Sequence, residues 1–147
     1  AYVENMQRLQ KKFRTARDLL PAPVLGRTHK SARFGVIYYG STAPAMEEAL
    51  DALEDHGAVL DLMRLRAFPF HDEVAAFIAR YDKVFVVEQN RDAQMRMLLV
   101  NECNVDPARL IPILHYDGTP ITARFIIREI AGRLAALGVA PFRKVNA

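Results

Sequence analysis

Apolar residues at the start of the chain recur every three or four positions over residues 2–20. The set comprises Tyr2, Met6, Leu9, Phe13, Ala16 and Leu20. This spacing predicts an amphipathic helix. Pro21 and Pro23 end the helix, and residues 24–33 have the composition of a polar connector. We therefore expect a helix with its connector over residues 1–33 and a folded α/β domain over residues 34–147.

From Phe34 onward, short apolar runs alternate with segments of helical spacing. Strands are predicted over residues 35–40, 58–65, 83–88 and 109–114. Helices are predicted over about 42–56, 72–81, 92–102 and 122–136. Thr42 suits the N-cap of the first of these helices, Pro44 its first turn and Gly57 the position after its end. Strands that alternate with helices through short connections predict a parallel α/β sheet.

Individual residues predict where some strands lie in this sheet. The run at 83–88 is the most uniformly apolar, so we expect it to be central. Asp61 and Arg64 imply that the second strand has a solvated side and lies near a sheet edge. Pro112 suits an edge strand, since proline cannot donate a ladder hydrogen bond.

Polar residues follow several predicted strands, where an open parallel sheet binds its ligands. The densest group is Glu88, Gln89 and Asn90. Glu88 as a general base would need burial and a positioned partner, whereas a structural role needs only backbone N–H groups or an arginine. Residue types favour the structural role. Asn90 also suits the N-cap of the next helix.

The composition is that of an ordinary soluble globular protein, with 51% hydrophobic and 25% charged residues. No apolar run is long enough to span a membrane. A single cysteine excludes a disulfide framework and an iron–sulfur cluster held by this chain, so we expect a cytoplasmic protein. Residues 1–33 carry eight Lys/Arg and two Asp/Glu. They lack interleaved aromatic residues, which favours a solvated helix face over nucleic-acid binding.

Motifs for catalysis, cofactors and metals are absent. The four histidines (His29, His56, His71 and His115) lack metal-ligand spacing. Only His115 follows a strand, and a structural or interface role is favoured for it. Cys103 is most simply a packed residue. The Ser41–Thr42 helix start could attract phosphate, but without Walker or glycine-rich spacing a hydroxyl cap is favoured. We predict no catalytic, cofactor-binding or metal-binding residue.

Several segments together resemble a known family. They are VIYYGST, AMEEALDALEDHG, LDLMRLRAFPF, EVAAFI and YDKVFVVEQNRDAQMRMLL. The chain is similar over about residues 34–134 to the C-terminal domain of the alpha subunit of 2-oxoacid:ferredoxin oxidoreductases, in particular the 2-oxoglutarate (KorA-type) form. That domain is related to the C-terminal domain of transketolase. Two departures are Ala93, where the family often has glycine, and His71, where it often has proline.

The resemblance implies a part in a larger enzyme. Such enzymes convert a 2-oxoacid and coenzyme A to acyl-CoA, carbon dioxide and reduced ferredoxin, with thiamine diphosphate, magnesium and iron–sulfur clusters. The family's G-D-G…N pattern for the diphosphate and magnesium is absent here. The resemblance therefore implies an assembly domain that is inactive alone, whose partners are the other domains of the alpha subunit and the beta subunit.

The fold implied is a three-layer α/β/α domain with an open, mainly parallel sheet, similar to the transketolase C-terminal domain. The expected order of the four predicted strands is 2-1-3-4; an antiparallel edge strand, usual in that fold, has no clear candidate. Residues expected to face a neighbouring domain or subunit are Gly40, Ser41, Thr42, Glu88, Gln89, Asn90 and His115. The Met6–Leu9–Phe13 stripe would lie against this or an adjoining domain. The alternatives are a stand-alone nucleotide- or anion-binding module and a ligand-free protein-interaction domain.

Overall fold

The computed structural model describes residues 1–139 as an α/β structure. The helices are α1 (Tyr2–Leu19), α2 (Ala43–Asp55), α3 (Asp72–Arg80), α4 (Gln94–Cys103) and α5 (Ala123–Ala136). The strands are β1 (Val24–Gly26), β2 (Phe34–Tyr39), β3 (Leu60–Leu65), β4 (Lys83–Glu88) and β5 (Leu110–Leu114). Short 3₁₀ turns occupy Gly40–Thr42 and Pro107–Arg109. No helix within this range is long and apolar enough to cross a lipid bilayer.

The five strands form one sheet in the order β1-β3-β2-β4-β5. Strands β3, β2, β4 and β5 are parallel, which confirms the order expected for the four predicted strands. The apolar β4 lies between β2 and β5, and β5, which contains Pro112, is an edge strand as expected.

The antiparallel edge strand, for which the sequence offered no candidate, is β1. It pairs with β3 through Val24 with Arg64, Leu25 with Met63 and Gly26 with Leu62. Residues 24–26 were expected to belong to a polar connector, and that expectation was wrong. Three residues after a proline are too few to show a strand periodicity, so only the pairing with β3 reveals the strand.

Helices cover both faces of the sheet, as the three-layer expectation requires. On one face, Phe85 and Val87 of β4 pack in a cluster with residues of α2 and α5, including Leu53 and Ile130. On the other face, Val84 and Val86 pack in a cluster with residues of α3 and α4. Both faces of β4 are therefore buried, because alternate residues of a strand point to opposite sides.

Gly35 in β2 allows α3 to pack closely on the sheet. A Cβ atom at this position would lie 2.8 Å from the Phe77 ring and 2.9 Å from the Tyr81 ring. The two rings also pack on each other, with centroids 4.7 Å apart. The absence of a side chain at Gly35 therefore makes room for this aromatic pair.

Asp61 in β3 is fully buried, contrary to the expectation of a solvated side chain. Its Oδ1 accepts a hydrogen bond from the His29 backbone N–H at 2.7 Å and lies 3.0 Å from His29 Nδ1. Its Oδ2 accepts a hydrogen bond from the Tyr81 hydroxyl at 2.6 Å. Burial and this hydrogen bond raise the pKa of Tyr81. The carboxylate thus joins the segment before β2 to the end of α3.

Helix α1 has no buried residue. Two contacts hold its C-terminal end. Arg17 forms an ion pair with Asp72 at 2.8 Å, and His71 Nε2 lies 3.1 Å from the Leu20 carbonyl oxygen. Within residues 1–139 the expected packing of the Met6–Leu9–Phe13 stripe on this domain is not found, since Phe13 is 59% exposed. Packing on an adjoining domain stays a prediction.

Candidate functional site

Glu88 ends β4 and is fully buried. Its Oε2 accepts hydrogen bonds from the Met95 backbone N–H at 2.7 Å and from Asn90 Nδ2 at 2.8 Å. Its Oε1 accepts a hydrogen bond from the Arg96 backbone N–H at 2.9 Å. The carboxylate therefore satisfies two backbone donors in the first turn of α4, where a helix has no intrahelical acceptors and favours negative charge. This geometry ties the strand to the helix that follows it.

Asn90, in the loop between β4 and α4, also stabilises the junction of these two elements. Its Oδ1 accepts hydrogen bonds from the backbone N–H groups of Asp92 and Gln94, at 3.1 and 3.2 Å. Asn90 was expected to be the N-cap of this helix, and that is wrong, because α4 begins at Gln94 rather than at about residue 92 and its N-cap is Ala93. Because the amide of Asn90 also donates to Glu88, the two side chains form one network.

Gln89 connects this strand end to the strand end of β2. Its Nε2 donates hydrogen bonds to Ser41 Oγ at 3.0 Å and to Thr42 Oγ1 at 3.1 Å. Thr42 was expected to cap α2 with its hydroxyl, and this is wrong, because its side chain makes no capping hydrogen bond. The chain continues from the 3₁₀ turn into α2, so the Thr42 hydroxyl is left to accept from Gln89 instead.

Gly40, Ser41 and Gln89 are exposed on this edge of the sheet, while Thr42 and Glu88 are buried beneath them. Gly40 has a φ of +62°, and no atom lies within 4 Å of the position a Cβ would take. Glycine is therefore required here by its backbone conformation and not by lack of space. The exposed residues form a polar surface on a fixed support.

His115 follows β5 and joins this region through its backbone only. Its N–H donates to the Glu88 carbonyl oxygen at 2.9 Å. The imidazole packs edge-on against the Phe125 ring, with centroids 4.8 Å apart, and Nε2 lies 3.4 Å from Asp117 Oδ1. Hydrogen bonds from Thr119 lower the pKa of Asp117. The side chain of His115 thus belongs to the β5–α5 loop rather than to the network of Glu88.

Two participants were not among the predicted residues. Asn90 Nδ2 lies 3.5 Å from the Tyr39 hydroxyl, and burial, together with the nearby Glu88 carboxylate, raises the pKa of Tyr39. Arg96 donates through its guanidinium to the carbonyl oxygens of Leu110 and Pro107, at 2.8 and 2.7 Å. Tyr39 lies at the end of a predicted strand, so its sequence position could have indicated that it belongs to this edge of the sheet. Nothing local indicates the contacts of Arg96.

Ala93 has an unusual backbone conformation for a residue other than glycine. It precedes α4 with φ +52° and ψ +44°, in the left-handed region. Residues with a Cβ disfavour that region, and glycine does not. Alanine at this position therefore adds backbone strain immediately beside the Glu88 network.

The metal and iron–sulfur cofactors that the resemblance implies need clustered ligand side chains. Within residues 1–139 no three His, Cys, Asp or Glu side chains gather as a metal site requires. Cys103 is the single cysteine of the chain, and burial raises the pKa of its thiol to about 11, so it is a neutral thiol near pH 7. The polar side chains at the carboxyl ends of β2 and β4 are engaged with one another and with the start of α4.

No protein-family model and no curated protein sequence matches the chain. Solved structures do match it. The chain is similar to a 2-oxoglutarate:ferredoxin oxidoreductase from Magnetococcus marinus, with a TM-score of 0.77 and 23% identity over 90% of this chain. The structure of that enzyme contains 2-oxoglutarate, coenzyme A and succinyl-CoA. The matched region is only 23% of that chain's length.

Two further structures have the same fold. One is the alpha chain of a probable 2-oxoacid ferredoxin oxidoreductase from Thermoplasma acidophilum, with a TM-score of 0.52 and 25% identity over 78% of this chain and 97% of that one. The other is a transketolase from Campylobacter jejuni subsp. jejuni, with a TM-score of 0.53 and 17% identity over 76% of this chain and 18% of that one. The resemblance to the transketolase C-terminal-like domain of 2-oxoacid:ferredoxin oxidoreductases is thereby confirmed.

Proposed function

We propose that this chain is the assembly domain of the alpha subunit of a thiamine-dependent 2-oxoacid:ferredoxin oxidoreductase, with 2-oxoglutarate as the 2-oxoacid. The complete cytoplasmic enzyme would convert the 2-oxoacid and coenzyme A to acyl-CoA, carbon dioxide and reduced ferredoxin. Thiamine diphosphate, magnesium and iron–sulfur clusters would be held by other domains. The chain by itself would be inactive.

One observation carries this proposal: the residues of two separate sequence motifs interlock at the carboxyl edge of the sheet. Gln89 comes from the V-V-E-Q-N segment and donates to Ser41 and Thr42 of the G-S-T segment. Of these three side chains Thr42 is buried and Gln89 and Ser41 are exposed, so the two hydrogen bonds link the surface of this edge to its buried support. The G-S-T and V-V-E-Q-N segments thus hold the two strand ends in a fixed position at this surface.

The environment of Glu88 supports a structural role over proton transfer. A general base must reach a substrate proton, directly or through one water molecule. Both carboxylate oxygens of Glu88 accept hydrogen bonds from the chain itself, and the side chain has no exposed surface. The surface above it, formed by Gly40, Ser41 and Gln89, would contact the neighbouring domain or subunit.

Assembly with the neighbouring polypeptides tests the proposal. The complete alpha subunit, with its encoded flanking domains, would be co-expressed with its beta subunit and examined by native mass spectrometry and by ferredoxin reduction. We expect a stable complex whose ferredoxin reduction requires both coenzyme A and 2-oxoglutarate. A coding sequence that encodes no thiamine-binding domain beside residue 1 or in a partner gene would refute the proposal.

A pair of substitutions distinguishes the carboxyl edge from the rest of the surface. Gln89→Arg places a long cation on the exposed edge and should weaken subunit assembly about tenfold or more, as misplaced charge does at interfaces. Asn101→Arg, at an exposed position at the opposite end of α4, is the matched control and should assemble normally. Equal assembly of both variants would show that the carboxyl edge is not the interface.

Ligand binding by the chain alone would favour the anion-binding alternative. A thermal-shift screen with nucleotides, coenzyme A and thiamine diphosphate reports any ligand that binds the folded state, because such binding must raise the unfolding midpoint. We expect no shift from any of them. A saturable increase that disappears in a Ser41→Ala, Thr42→Ala variant would replace the assembly proposal with a binding module.

A further inference from the structure

His29 lies between β1 and β2 in the chain, and its ring lies between two carboxylates. Its Nδ1 is 3.0 Å from Asp61 Oδ1 on β3, and its Nε2 is 3.5 Å from Glu54 Oε1 on α2. The side chain of Asp61 is fully buried, whereas that of His29 is 30% exposed and can exchange a proton with the solvent. The imidazole is therefore the point at which this part of the chain contacts both the sheet and a helix.

The two ring nitrogens of His29 donate together only when the imidazole is protonated. The oxygens of Asp61 already accept hydrogen bonds from the His29 backbone N–H and from the Tyr81 hydroxyl, as those of a carboxylate do. A contact of Nδ1 with this carboxylate places the ring proton on Nδ1. The neutral ring then directs a lone pair at Glu54, and only the protonated ring donates to both carboxylates.

The charged groups around His29 carry an excess of negative charge. On α2, Asp51 and Glu54 both pair with Arg27, and on β3 the buried Asp61 contacts His29. One guanidinium group therefore faces three carboxylates when the imidazole is neutral. Protonation of the ring supplies a second cation at the centre of this group, which the excess of carboxylates stabilises.

The other titratable groups near His29 keep their charge between about pH 5 and pH 8. The Tyr81 hydroxyl, which donates to Asp61 from the end of α3, stays protonated because burial raises its pKa. Lys30 and Asp55 are exposed and form no ion pair within residues 1–139. Histidine is the side chain that ordinarily changes its charge in this range. A change of pH therefore acts on this group of residues through the ring of His29.

We propose that His29 makes the attachment of residues 24–33 to α2 and β3 sensitive to pH. Protonation of the ring adds a hydrogen bond from Nε2 to Glu54 to the one that Nδ1 makes with Asp61. Loss of the proton removes the bond to α2. Strand β1 has three residues and pairs with β3 alone, so it then separates from the sheet more often. The proposal does not depend on the assembly function proposed for the carboxyl edge.

Hydrogen exchange of the native chain tests the proposal without any substitution. Protection factors, which correct for the intrinsic effect of pH on exchange, would be measured for the His29 amide and for the amides of β1. We expect them to be about three- to fivefold higher near pH 6 than near pH 8, as one additional ion pair at a partly exposed site predicts. In a His29→Gln variant, whose side chain does not titrate, the two values should agree. Equal protection of the native chain at both pH values overturns the proposal.

Urea unfolding of the same two proteins between about pH 5 and pH 8 gives the sign of the effect. The bond to Glu54 exists only with a protonated ring, so the shift of the unfolding midpoint caused by His29→Gln should be largest on the acidic side and shrink as pH rises. His71→Gln is the matched control, because His71 is also partly exposed but has no carboxylate within ion-pair distance among residues 1–139. Its shift should stay constant, and an equal pH dependence in both variants overturns the proposal.

Glu54→Gln tests the partner on α2. Glu54 is exposed on the helix, and circular dichroism would confirm that the variant folds. We expect the pH dependence of protection at the His29 amide and in β1 to fall at least about twofold, because the ring loses one of its two carboxylates. A pH dependence unchanged from that of the native chain would show that Glu54 does not respond to the proton on His29, and it overturns the proposal.

Discussion

Two fully buried carboxylates, Glu88 and Asp61, stabilise the fold in different ways. Glu88 accepts hydrogen bonds from residues two, seven and eight positions later in the chain. Asp61 accepts them from His29, 32 positions earlier, and from Tyr81, 20 positions later. The first carboxylate completes a local strand-to-helix junction, and the second joins three separate segments. A buried carboxylate can thus serve either local or long-range structure, according to where its donors come from.

The largest expected effect comes from removing the long-range carboxylate. Asp61→Ala leaves the Tyr81 hydroxyl and the His29 backbone N–H without their acceptor in a buried site, so the free energy of unfolding should fall by about 3 kcal/mol. Urea denaturation followed by circular dichroism measures the change. The control is Asp55→Ala, at an exposed position at the end of α2, where a change of less than about 0.5 kcal/mol is expected. Equal values for the two variants would contradict the role assigned to Asp61.

Glu88→Gln should have a smaller and more local effect. The amide keeps one acceptor oxygen, so one of the two backbone donors of α4 loses its partner, and we expect a loss of about 2 kcal/mol. Hydrogen exchange at the Met95 and Arg96 amides should accelerate more than exchange in β2. In the complete enzyme proposed above, the variant should impair assembly or stability before turnover. Normal assembly with abolished turnover would instead make Glu88 a participant in the chemistry.

Tyr81→Phe isolates one donor of the Asp61 network and adds a pH dependence. Near pH 7 we expect a loss of about 1 kcal/mol, since His29 still satisfies the carboxylate. Burial and the hydrogen bond to Asp61 raise the pKa of Tyr81 in the folded chain. The unfolded chain therefore loses this proton first, so the stability that the Tyr81 hydroxyl contributes falls as pH rises above about 10.

The pH dependence is checked by measuring both proteins between pH 7 and pH 11. The difference in the free energy of unfolding between the native chain and the Tyr81→Phe variant should shrink as pH rises above about 10. A difference that stays constant across this range would show that folding does not raise the pKa of Tyr81.

Ala93→Gly should stabilise the junction between β4 and α4, because it removes the backbone strain at residue 93. The left-handed backbone of Ala93 costs roughly 1 kcal/mol, which glycine does not pay, although glycine also adds entropy to the unfolded chain. We expect a net gain of about 0.5 kcal/mol in the free energy of unfolding. Gly57→Ala, at a position with φ of +91° and open space around it, should destabilise the chain and serves as the converse control.

The same difference between local and distant contacts explains what the sequence could predict. The parallel strands and the structural environment of Glu88 follow from patterns within a few residues, such as an apolar run followed by Asn90. The burial of Asp61 could not be predicted in this way, because the local sequence of β3 shows only that a polar residue interrupts an apolar run. Its partners become neighbours only once the sheet and α3 have formed.

Residues 24–26 give the same lesson for secondary structure. Their propensity is too weak to predict a strand, and β3 supplies the hydrogen bonds that define β1. The hydroxyl of Thr42 was assigned to the nearest backbone, whereas Gln89, 47 positions away, uses it. Contacts between segments that are distant in sequence account for both errors. For the same reason the resemblance, which implied an antiparallel edge strand, was a better guide to the fold than the local pattern of residues 24–26.

The two outer strands limit how this domain can associate with other chains. On one side, β1 offers only three residues to an incoming strand; on the other, β5 contains Pro112, which has no N–H to donate. Short edges and proline both hinder continuation of a sheet from one molecule into the next. Extension of the described five-stranded sheet by another chain is therefore disfavoured at both edges, which protects this part of the chain from edge-to-edge aggregation.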